Sequence, residues 1–433
     1  MNKPALFAFL VTLPVSGFAA PDFAPPVRLT DSAAKYRLSR NPSQAMDFDS
    51  SGTLHLAYWS GGFATSAAEP SFIYYRSWTP GGGWTAQQSI DNSEDGSAQH
   101  LGGRQPTLSL APDGTVWVVW HDARHTTTAP PANNIDNLEI YGDFKTPGGS
   151  FTNGDLRITD TSAAHLGDNG YMPRVALTPG GLPRVLWYDY NADFGISDLY
   201  VKTATGPGAF DATALPRLTD LADRSPDPEP ITAPDFVVLP DGSGHAVWTE
   251  GTSSPGPLFY SEVPDTITSS VVGTQLAAET GGFFDPARLV AAPNGDLWVL
   301  YTDRSGAARN VTARRRAPGD SAFGPPIALT SAASDQYAPH GAVDGDGILH
   351  VVWVDERAGQ HVYYGEYDPV LDAMVAEIPI TDTAAEWARP AIALDTSGAP
   401  VVVFEEDSGL STGDLWFAIP SVQAAAHGWS NYE

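Results

Sequence analysis

The stretch Asp113-Gly114-Thr115-Val116-Trp117-Val118-Val119-Trp120 decides the fold of this chain. It begins with an Asp-Gly pair, and Gly adopts a positive φ at no steric cost, which favours a tight hairpin turn. The residues that follow are rich in Val and Trp, and such a run is typical of a buried β-strand. The stretch therefore predicts the turn and the second strand of an antiparallel hairpin.

The same pattern returns along the chain, for example as Asp346-Gly347-Ile348-Leu349-His350-Val351-Val352-Trp353. Each copy follows an X-Pro step and precedes a third segment rich in Tyr and a closing segment such as Arg157-Ile158-Thr159-Asp160. Recurrence in a constant order indicates a repeat architecture. The X-Pro steps recur at intervals of 51 to 67 residues, at Pro42, Pro106, Pro173, Pro234, Pro286, Pro339 and Pro390.

Four short antiparallel strands per repeat predict an all-β fold, a seven-bladed β-propeller in which each repeat forms one four-stranded blade. Only three strands fit after Pro390, and Val27-Arg28-Leu29-Thr30-Asp31 has the pattern of a closing segment. We therefore expect the N-terminal strand to complete the last blade, which would remove the free sheet edges. Residues 20–433 are predicted to form this single domain.

The composition argues against several classes of protein. The 433 residues include no Cys, which excludes disulfide scaffolds and thiolate metal sites. Lys and Arg number 23 against 51 Asp and Glu, for a formal charge of −28, so a phosphate backbone would be repelled. Nucleic acid is not expected as a partner. Membrane insertion is not expected either, because no later apolar run reaches the length of a membrane span.

The first nineteen residues have the pattern of a secretory signal peptide. Lys3 supplies a short positive start, an apolar stretch runs from Ala5 to Val15, and the small residues Gly17 and Ala19 precede the expected cleavage point. The mature chain is then expected to start near Ala20. A secreted or periplasmic location follows from this prediction.

The blade pattern and the Trp-x-Asp-x-Arg ending of the second strand, as in Trp120-His121-Asp122-Ala123-Arg124, resemble the sialidase-like, BNR-repeat propeller superfamily. The resemblance extends from Pro26 to about Pro420 and implies the propeller fold. Sialidases carry Asp-boxes between the third and fourth strands, and this chain has none there. The nearest match, Asp49-Ser50-Ser51-Gly52-Thr53, lies in the first hairpin. A sialidase-like glycoside hydrolase is one function that the resemblance implies.

Residues that recur in most repeats are expected to be structural. A carboxylate at the end of the second strand can accept backbone N–H groups of the following loop, as in an Asx turn. The alternative is a ring of carboxylates that binds Ca²⁺ or acts as a paired acid and base. The carboxylates in question are Asp122, Asp189, Glu250, Asp303, Asp355 and Glu406. The aromatic residues expected to pack between blades are Trp120, Trp187, Trp248, Tyr301 and Trp353.

Functional residues are expected in the long loops around the second blade, which have no equivalent in the other repeats. His can exchange a proton near neutral pH, Tyr can donate one, and Arg can neutralise a carboxylate. Two other interpretations remain, an ordinary polar loop surface and a His-based metal site, although the spacings match no standard ligand motif. The candidate catalytic residues are His121, Tyr188, Arg104 and Arg124. The candidate substrate-binding residues are His100, His125, His165, Tyr171 and Tyr190.

This combination also resembles, more weakly, the propeller-fold polysaccharide lyases such as ulvan lyases. In these enzymes a His and a Tyr at second-strand ends of adjacent blades serve β-elimination beside an Arg that neutralises the uronate. His121 and Tyr188 hold those positions in this sequence. Tyr141 stands where the lyases have a second His, and Lys202 stands where they have Arg.

The sequence thus predicts a secreted propeller that acts on, or binds, an extracellular polysaccharide, and a lyase is favoured over a sialidase if the protein is an enzyme. One alternative is a non-catalytic glycan-binding module in which exposed Trp78, Trp84 and Tyr190 stack on sugars. Another is a scaffold that binds a protein. No metal site is assigned, and Ca²⁺ is the only cofactor considered, as a bridge between an acidic glycan and an acidic protein.

Overall fold

The computed structural model describes residues 21–30, 35–39, 44–61, 71–92, 102–122, 124, 138–151, 154–160, 170–189, 197–206, 208–210, 216–220, 231–251, 255–282, 285–406 and 413–426. In these ranges the protein is almost entirely β-structure, with one short helix, α1 (Ser421–Ala426). That helix lacks the length and apolarity needed to cross a lipid bilayer, and no longer helix occurs in the described ranges. The predicted signal peptide lies outside them.

The strands form six sheets with antiparallel pairing, named here in chain order. The N-terminal strand β1 (Val27–Arg28) belongs to the last of them, the closing sheet. The first sheet contains β2 (Tyr36–Arg37), β3 (Met46–Phe48), β4 (Leu54–Ser60), β5 (Phe72–Thr79), β6 (Gly83–Trp84) and β7 (Gln88–Ser89). The second sheet contains β8 (Arg104–Leu110), β9 (Val116–Asp122), β10 (Glu139–Lys145) and β11 (Leu156–Arg157). The third sheet contains β12 (Gly170–Leu177), β13 (Pro183–Asp189) and β14 (Leu199–Thr203).

The double sheet contains β15 (Ile231–Val238), β16 (Gly244–Glu250), β17 (Gly256–Val263), β18 (Thr274–Thr280), β19 (Arg288–Ala291), β20 (Leu297–Asp303), β21 (Asn310–Arg316) and β22 (Ile327–Ala328). The fifth sheet contains β23 (Gln336–Val343), β24 (Leu349–Asp355), β25 (His361–Asp368) and β26 (Ala373–Pro379). The closing sheet contains β27 (Trp387–Leu394), β28 (Pro400–Glu406), β29 (Asp414–Ala418) and β1.

The hairpin predicted at Asp113-Gly114 is present. Gly114 has a φ of 83°, and its N–H donates to the carbonyl oxygen of Ala111 over 2.8 Å. Asp113 Oδ1 accepts the N–H of Thr115 at 2.9 Å, which tightens the turn. Every residue of β9 is buried, as the run of Val and Trp after the turn predicts.

The recurring X-Pro step forms a β-bulge in the innermost strand. The register of β8 shifts between Arg104 and Thr107, and that of β12 shifts between Tyr171 and Arg174. A positive φ at a residue other than Gly is strained and needs support from the surrounding structure. Residues with a positive φ directly before these prolines are Gln105, Met172, Ala233, Ala338 and Arg389. The X-Pro step therefore marks a bend that changes the direction of the first residues of these innermost strands.

The N-terminal strand is part of the closing sheet. β1 pairs with β29, with Val27 opposite Phe417. Just beyond β1, Thr30 Oγ1 donates to Asp414 Oδ1 over 2.7 Å and accepts the N–H of Leu415 at 3.0 Å. The Thr of each closing segment likewise accepts a third-strand N–H, namely Thr159 from Ile140, Thr219 from Leu199, Thr330 from Val311 and Thr381 from Val362.

Substitution of Thr30 by Val is expected to lower the free energy of unfolding by about 1 to 3 kcal/mol, because the N–H of Leu415 loses a buried acceptor. Urea unfolding followed by Trp fluorescence measures the change. The Thr30→Ser variant retains the hydroxyl group and should lose much less. Equal losses in both variants would show that the hydroxyl group is not what stabilises the closure.

The innermost strands surround one axial cavity of about 440 Å³. Gln44 also bridges across the axis, since its Nε2 donates to the carbonyl of Phe236 over 2.7 Å and its Oε1 accepts the N–H of Val175 at 3.0 Å. Sheets arranged radially about a common axis define a β-propeller. The wall of the cavity includes Met46 of β3, Leu108 of β8, Val175 of β12, Val237 of β15, Leu289 of β19, His340 of β23 and Ile392 of β27.

Candidate functional site

Four of the predicted site residues lie at the same end of two neighbouring sheets. Arg104 at the start of β8 lies opposite His121 near the end of β9. On the third sheet, Tyr171 near the start of β12 lies opposite Tyr188 near the end of β13. We call this end of the sheets the top, and the group Arg104, His121, Tyr171 and Tyr188 the site cluster.

The site cluster is held together across the two sheets by ring contacts. The rings of His121 and Tyr171 stack with their centroids 4.6 Å apart and an angle of 18° between their planes. Tyr171 also contacts Tyr188 edge-on, at 5.4 Å and 76°. Arg104 is close enough for the charges of Tyr171 and Asp122 to raise its pKa, although the larger effect of burial lowers it. Tyr171 is thus the residue that links the rest of the cluster.

A backbone group sets the protonation pattern of His121. The N–H of Met172 points at Nδ1 of His121 over 3.3 Å. A ring nitrogen that accepts a hydrogen bond carries no proton, so the neutral imidazole carries its proton on Nε2. Met172 has a φ of 47° and precedes Pro173, which means that the bulge of β12 aims this N–H. His121 is thereby prepared to donate a hydrogen bond from Nε2.

Burial divides the site cluster into two layers. His121 and Tyr188 are 1% and 2% exposed, whereas Arg104 and Tyr171 are only half-buried. A ligand that arrives from solvent therefore meets Arg104 and Tyr171 first. Low polarity around the inner pair strengthens any interaction between charges there. Arg104 is steadied by Ser71, whose Oγ accepts a hydrogen bond from Nε over 3.2 Å.

Arg124 does not join the site cluster. Its Nη2 donates to Asp122 over 2.8 Å and to Asp155 over 2.6 Å, and its Nη1 donates to the carbonyl of Asn92 over 2.9 Å. Its guanidinium group also lies 3.8 Å from the centre of the Tyr141 ring. The side chain is 2% exposed, so it cannot reach a substrate carboxylate. These contacts give Arg124 a structural role in place of the catalytic role that the sequence predicts.

The remaining predicted residues are placed less fully. His100, His125, His165 and Tyr190 lie outside the described residues. Trp78 is 3% exposed and packs on Phe417 at 5.4 Å, while Trp84 packs on the other side of Phe417 at 5.1 Å. Trp78 is therefore part of the contact between the first sheet and the closing sheet, and the prediction that it stacks on sugars is wrong.

The carboxylates at second-strand ends make the structural bonds that their recurrence predicts. Asp122, Asp303 and Asp355 each accept the N–H of the residue two positions later, at 2.9 Å. Asp122 and Asp355 also accept the indole N–H of the strand-two Trp, Trp120 or Trp353. In the described ranges, no group of three or more His, Asp or Glu side chains is arranged to hold a metal ion.

Lys202, at the position where the lyases have Arg, is also structural. Its Nζ donates to the carbonyl oxygen of Ile158 over 2.8 Å, and the residue is buried. It therefore joins the third sheet to the second. Arg104 is left as the cation of the site cluster that a substrate can approach.

Two buried arginines near the axis were missed by sequence reasoning. Arg174 donates to the carbonyl oxygens of Pro173 and Pro234, and Arg288 donates to that of Pro286. Burial lowers the pKa of Arg174 to about 10 and that of Arg288 to about 9. Both satisfy carbonyls of the X-Pro steps. Their position one or two residues after the repeated Pro is the signal that could have identified them.

Three histidines at the opposite end of the sheets are structural as well. Their Nδ1 atoms lie within hydrogen-bonding distance of a Tyr hydroxyl group on the next strand, and all three are buried. Such pairs satisfy two buried polar groups at once. The pairs are His55 with Tyr75 at 2.6 Å, His245 with Tyr260 at 2.9 Å and His350 with Tyr364 at 2.6 Å.

No protein-family model matches the chain, and no curated protein sequence matches it. Solved structures do. An ulvan lyase of polysaccharide lyase family 25, solved bound to -[GlcA(1-4)Rha3S]-, matches with a TM-score of 0.57 at 11% identity, over 90% of this chain and 95% of that chain. The polysaccharide lyase Uly1 matches with a TM-score of 0.54 at 10% identity, over 95% and 94%.

The NanB sialidase from Streptococcus pneumoniae matches with a TM-score of 0.50 at 12% identity, over 93% of this chain and 71% of that chain. These similarities establish the propeller fold. The resemblance to sialidases and to ulvan lyases that the sequence predicts is confirmed at the level of the fold.

Proposed function

We propose that this protein is a polysaccharide lyase that cleaves an acidic extracellular glycan at the site cluster. The observation that carries the proposal is the assembly of Arg104, His121, Tyr171 and Tyr188 from two sheets into one contact group. An imidazole, two phenols and one approachable guanidinium are the groups that elimination next to a carboxylate requires. The lyase structures with the same fold support this reading.

The proposed reaction breaks the C–H bond next to the uronate carboxyl group and the bond from the neighbouring ring carbon to the linking oxygen. A carbon–carbon double bond forms between the two ring carbons. Arg104 would bind the uronate carboxylate and stabilise the negative charge that develops when the proton leaves. His121 would donate a hydrogen bond from Nε2 to the departing oxygen, and the tyrosine that took up the ring proton would pass that proton to the same oxygen.

The proton acceptor in this scheme is one of the two tyrosines. Tyr171 is half-buried and lies close enough to Arg104 for their charges to interact. Tyr188 is 2% exposed and contacts the Tyr171 ring edge-on. Replacing Tyr171 and Tyr188 by Phe, one at a time, distinguishes their roles. Loss of the proton acceptor lowers kcat, whereas loss of the hydroxyl group of the positioning residue should have a smaller effect.

We also infer that the sheets are seven four-stranded blades. The double sheet counts as two, because in the described ranges the pairing between β18 and β20 is limited to Thr280 with Asp303. The third sheet gains a fourth strand through Leu218, whose N–H donates to the carbonyl of Leu199 over 2.6 Å. The signal-peptide pattern of residues 1–19 supports export of the chain, to the periplasm or beyond the cell.

The test is incubation of the purified protein with a panel of uronate polysaccharides, including one with GlcA-Rha3S repeats. Elimination leaves a conjugated double bond, so ultraviolet absorbance should rise, and moderate salt should help because both partners are acidic. A glycan-array experiment runs in parallel. No rise in absorbance with any uronate would exclude the lyase proposal.

The near-complete burial of His121 and Tyr188 favours a second candidate, a glycan-binding propeller without catalysis. In that case Arg104 and Tyr171 alone would contact the ligand. Retained binding on the array, with no rise in absorbance and with binding lost in Arg104→Gln, would support this candidate.

A further inference from the structure

A buried carboxyl group lies against the residue that precedes Arg104 of the site cluster. Asp91 follows β7 and is 0% exposed. Its Oδ1 accepts a hydrogen bond from Ser89 Oγ over 2.9 Å, whereas its Oδ2 has no hydrogen-bond partner. That oxygen lies against Gly103, where an added Cβ atom would be only 3.2 Å away. Gly103 directly precedes Arg104, so Asp91 supports the backbone that carries the cation of the site cluster.

The charges around Asp91 do not favour an ionised carboxylate. Among its charged neighbours, the carboxylate of Asp122 acts on it most strongly, and this charge has the same sign. The nearby cation Arg124 is already paired with Asp122 and Asp155. The phenol of Tyr74 is the other titratable group that senses Asp91, and it also becomes negative when it ionises. A buried charge without a cation is costly, and a carboxyl group in that position takes up a proton instead.

The fifth sheet contains a second copy of this arrangement, in which one Arg pairs with two carboxylates beside a Tyr ring. There Arg357 pairs with Asp355 and Glu377 and lies 4.6 Å from the centre of the Tyr363 ring. Asp122, Asp155 and Tyr141 surround Arg124 in the same way. In both copies, therefore, one guanidinium group pairs with two carboxylates. Asp91 is an additional carboxyl group, beside the copy of the motif that adjoins the site cluster.

We propose that Asp91 is a positioning residue whose carboxyl group is protonated in the folded protein at neutral pH. In this form it supports the Gly103–Arg104 backbone and adds no negative charge to those of Asp122 and Asp155. Loss of the proton at alkaline pH places that charge under the start of β8 and disturbs Arg104. The structural part of this inference stands alone, and its effect on catalysis rests on the proposed function.

The direction of the pH effect follows from the environment of Asp91. Burial, with a further contribution from Asp122, raises the pKa of Asp91 from 3.8 to about 8. The folded protein then binds one more proton than the unfolded chain between these two values, so stability falls as pH rises through that interval. Asn has nearly the same shape and cannot ionise. The Asp91→Asn variant should therefore lack this loss.

The first experiment is a ¹³C NMR titration of wild-type protein labelled at the Asp carboxyl carbons. One resonance should titrate near pH 8 and be absent from Asp91→Asn, whereas the exposed control Asp346→Asn should retain it. Urea unfolding from pH 5 to 9 should show Asp91→Asn to be the more stable protein, by a margin that grows with pH up to about 8. If the resonance that disappears in Asp91→Asn titrates near pH 4, the proposal is overturned.

The second experiment records kcat and KM against pH on a cleaved uronate. In wild type, kcat/KM should fall with a midpoint near pH 8, and in Asp91→Asn this alkaline loss should disappear while activity at pH 7 remains. If kcat/KM of Asp91→Asn falls at alkaline pH as it does in wild type, the positioning role is wrong. If no uronate is cleaved, the NMR and unfolding results still decide the protonation of Asp91, so the two failures are distinguishable.

Discussion

Substitution of His121 by Phe is expected to lower kcat/KM for a uronate polysaccharide by a factor of about 10² to 10³, the range for loss of one hydrogen-bond donor to a developing negative charge. Phe retains a ring that can stack on Tyr171 but has no N–H group. The Met172 N–H that now contacts Nδ1 shows that the ring is held in one tautomer, so the loss should fall on kcat more than on KM. Initial rates from the ultraviolet absorbance of the product provide the measurement.

The matched control is His361→Phe in the fifth sheet, where the Nδ1 atom contacts Thr381 far from the site cluster. This variant should keep wild-type rates. Arg104→Gln should instead raise KM as well as lower kcat, because it removes the group that binds the carboxylate in both the ground state and the transition state. Wild-type kcat in His121→Phe would eliminate His121 as the hydrogen-bond donor to the departing oxygen, whatever happens to KM.

Substitution of Arg124 by Gln is expected to lower the free energy of unfolding by about 3 to 5 kcal/mol, since it leaves two buried carboxylates without their cation. Asp122 and Asp155 both pair with Nη2 of Arg124, and the side chain is 2% exposed. The same substitution at Arg357 removes the counterpart pairs in the fifth sheet, where the side chain is 33% exposed. There solvent reaches the guanidinium group and Glu377, although Asp355 is buried, and a smaller loss of about 1 to 2 kcal/mol is expected.

Urea unfolding of the two variants at equal ionic strength measures this difference. The comparison is controlled because the pairing pattern is shared and mainly burial differs. Similar losses in both variants would show that burial does not set the strength of the Arg124 pairs. Full stability of Arg124→Gln combined with loss of activity would return Arg124 to the catalytic group.

The position of the site cluster could be predicted because it depends on short-range rules. His121 and Tyr188 each lie at the end of a strand that the Gly turns and apolar runs delimit, and second strands of neighbouring repeats end on the same face. The sequence could not separate Arg104 from Arg124, since both lie in polar segments beside long loops. Their difference arises from Asp155 and Asn92, which are 31 and 32 residues from Arg124.

The sequence by itself determined the repeat, the hairpin at Gly114 and the closing role of the N-terminal strand. The repeat and the hairpin depend on a few adjacent residues and their φ, ψ and alternation, and the closing strand follows from a last repeat that lacks its fourth strand. The tertiary structure alone decided that Tyr171 stacks on His121, that Trp78 is covered by the closing sheet and that Asp91 lies under Gly103. Those features depend on which side chains neighbouring sheets bring together, and burial and charge at such a contact are properties of both sheets.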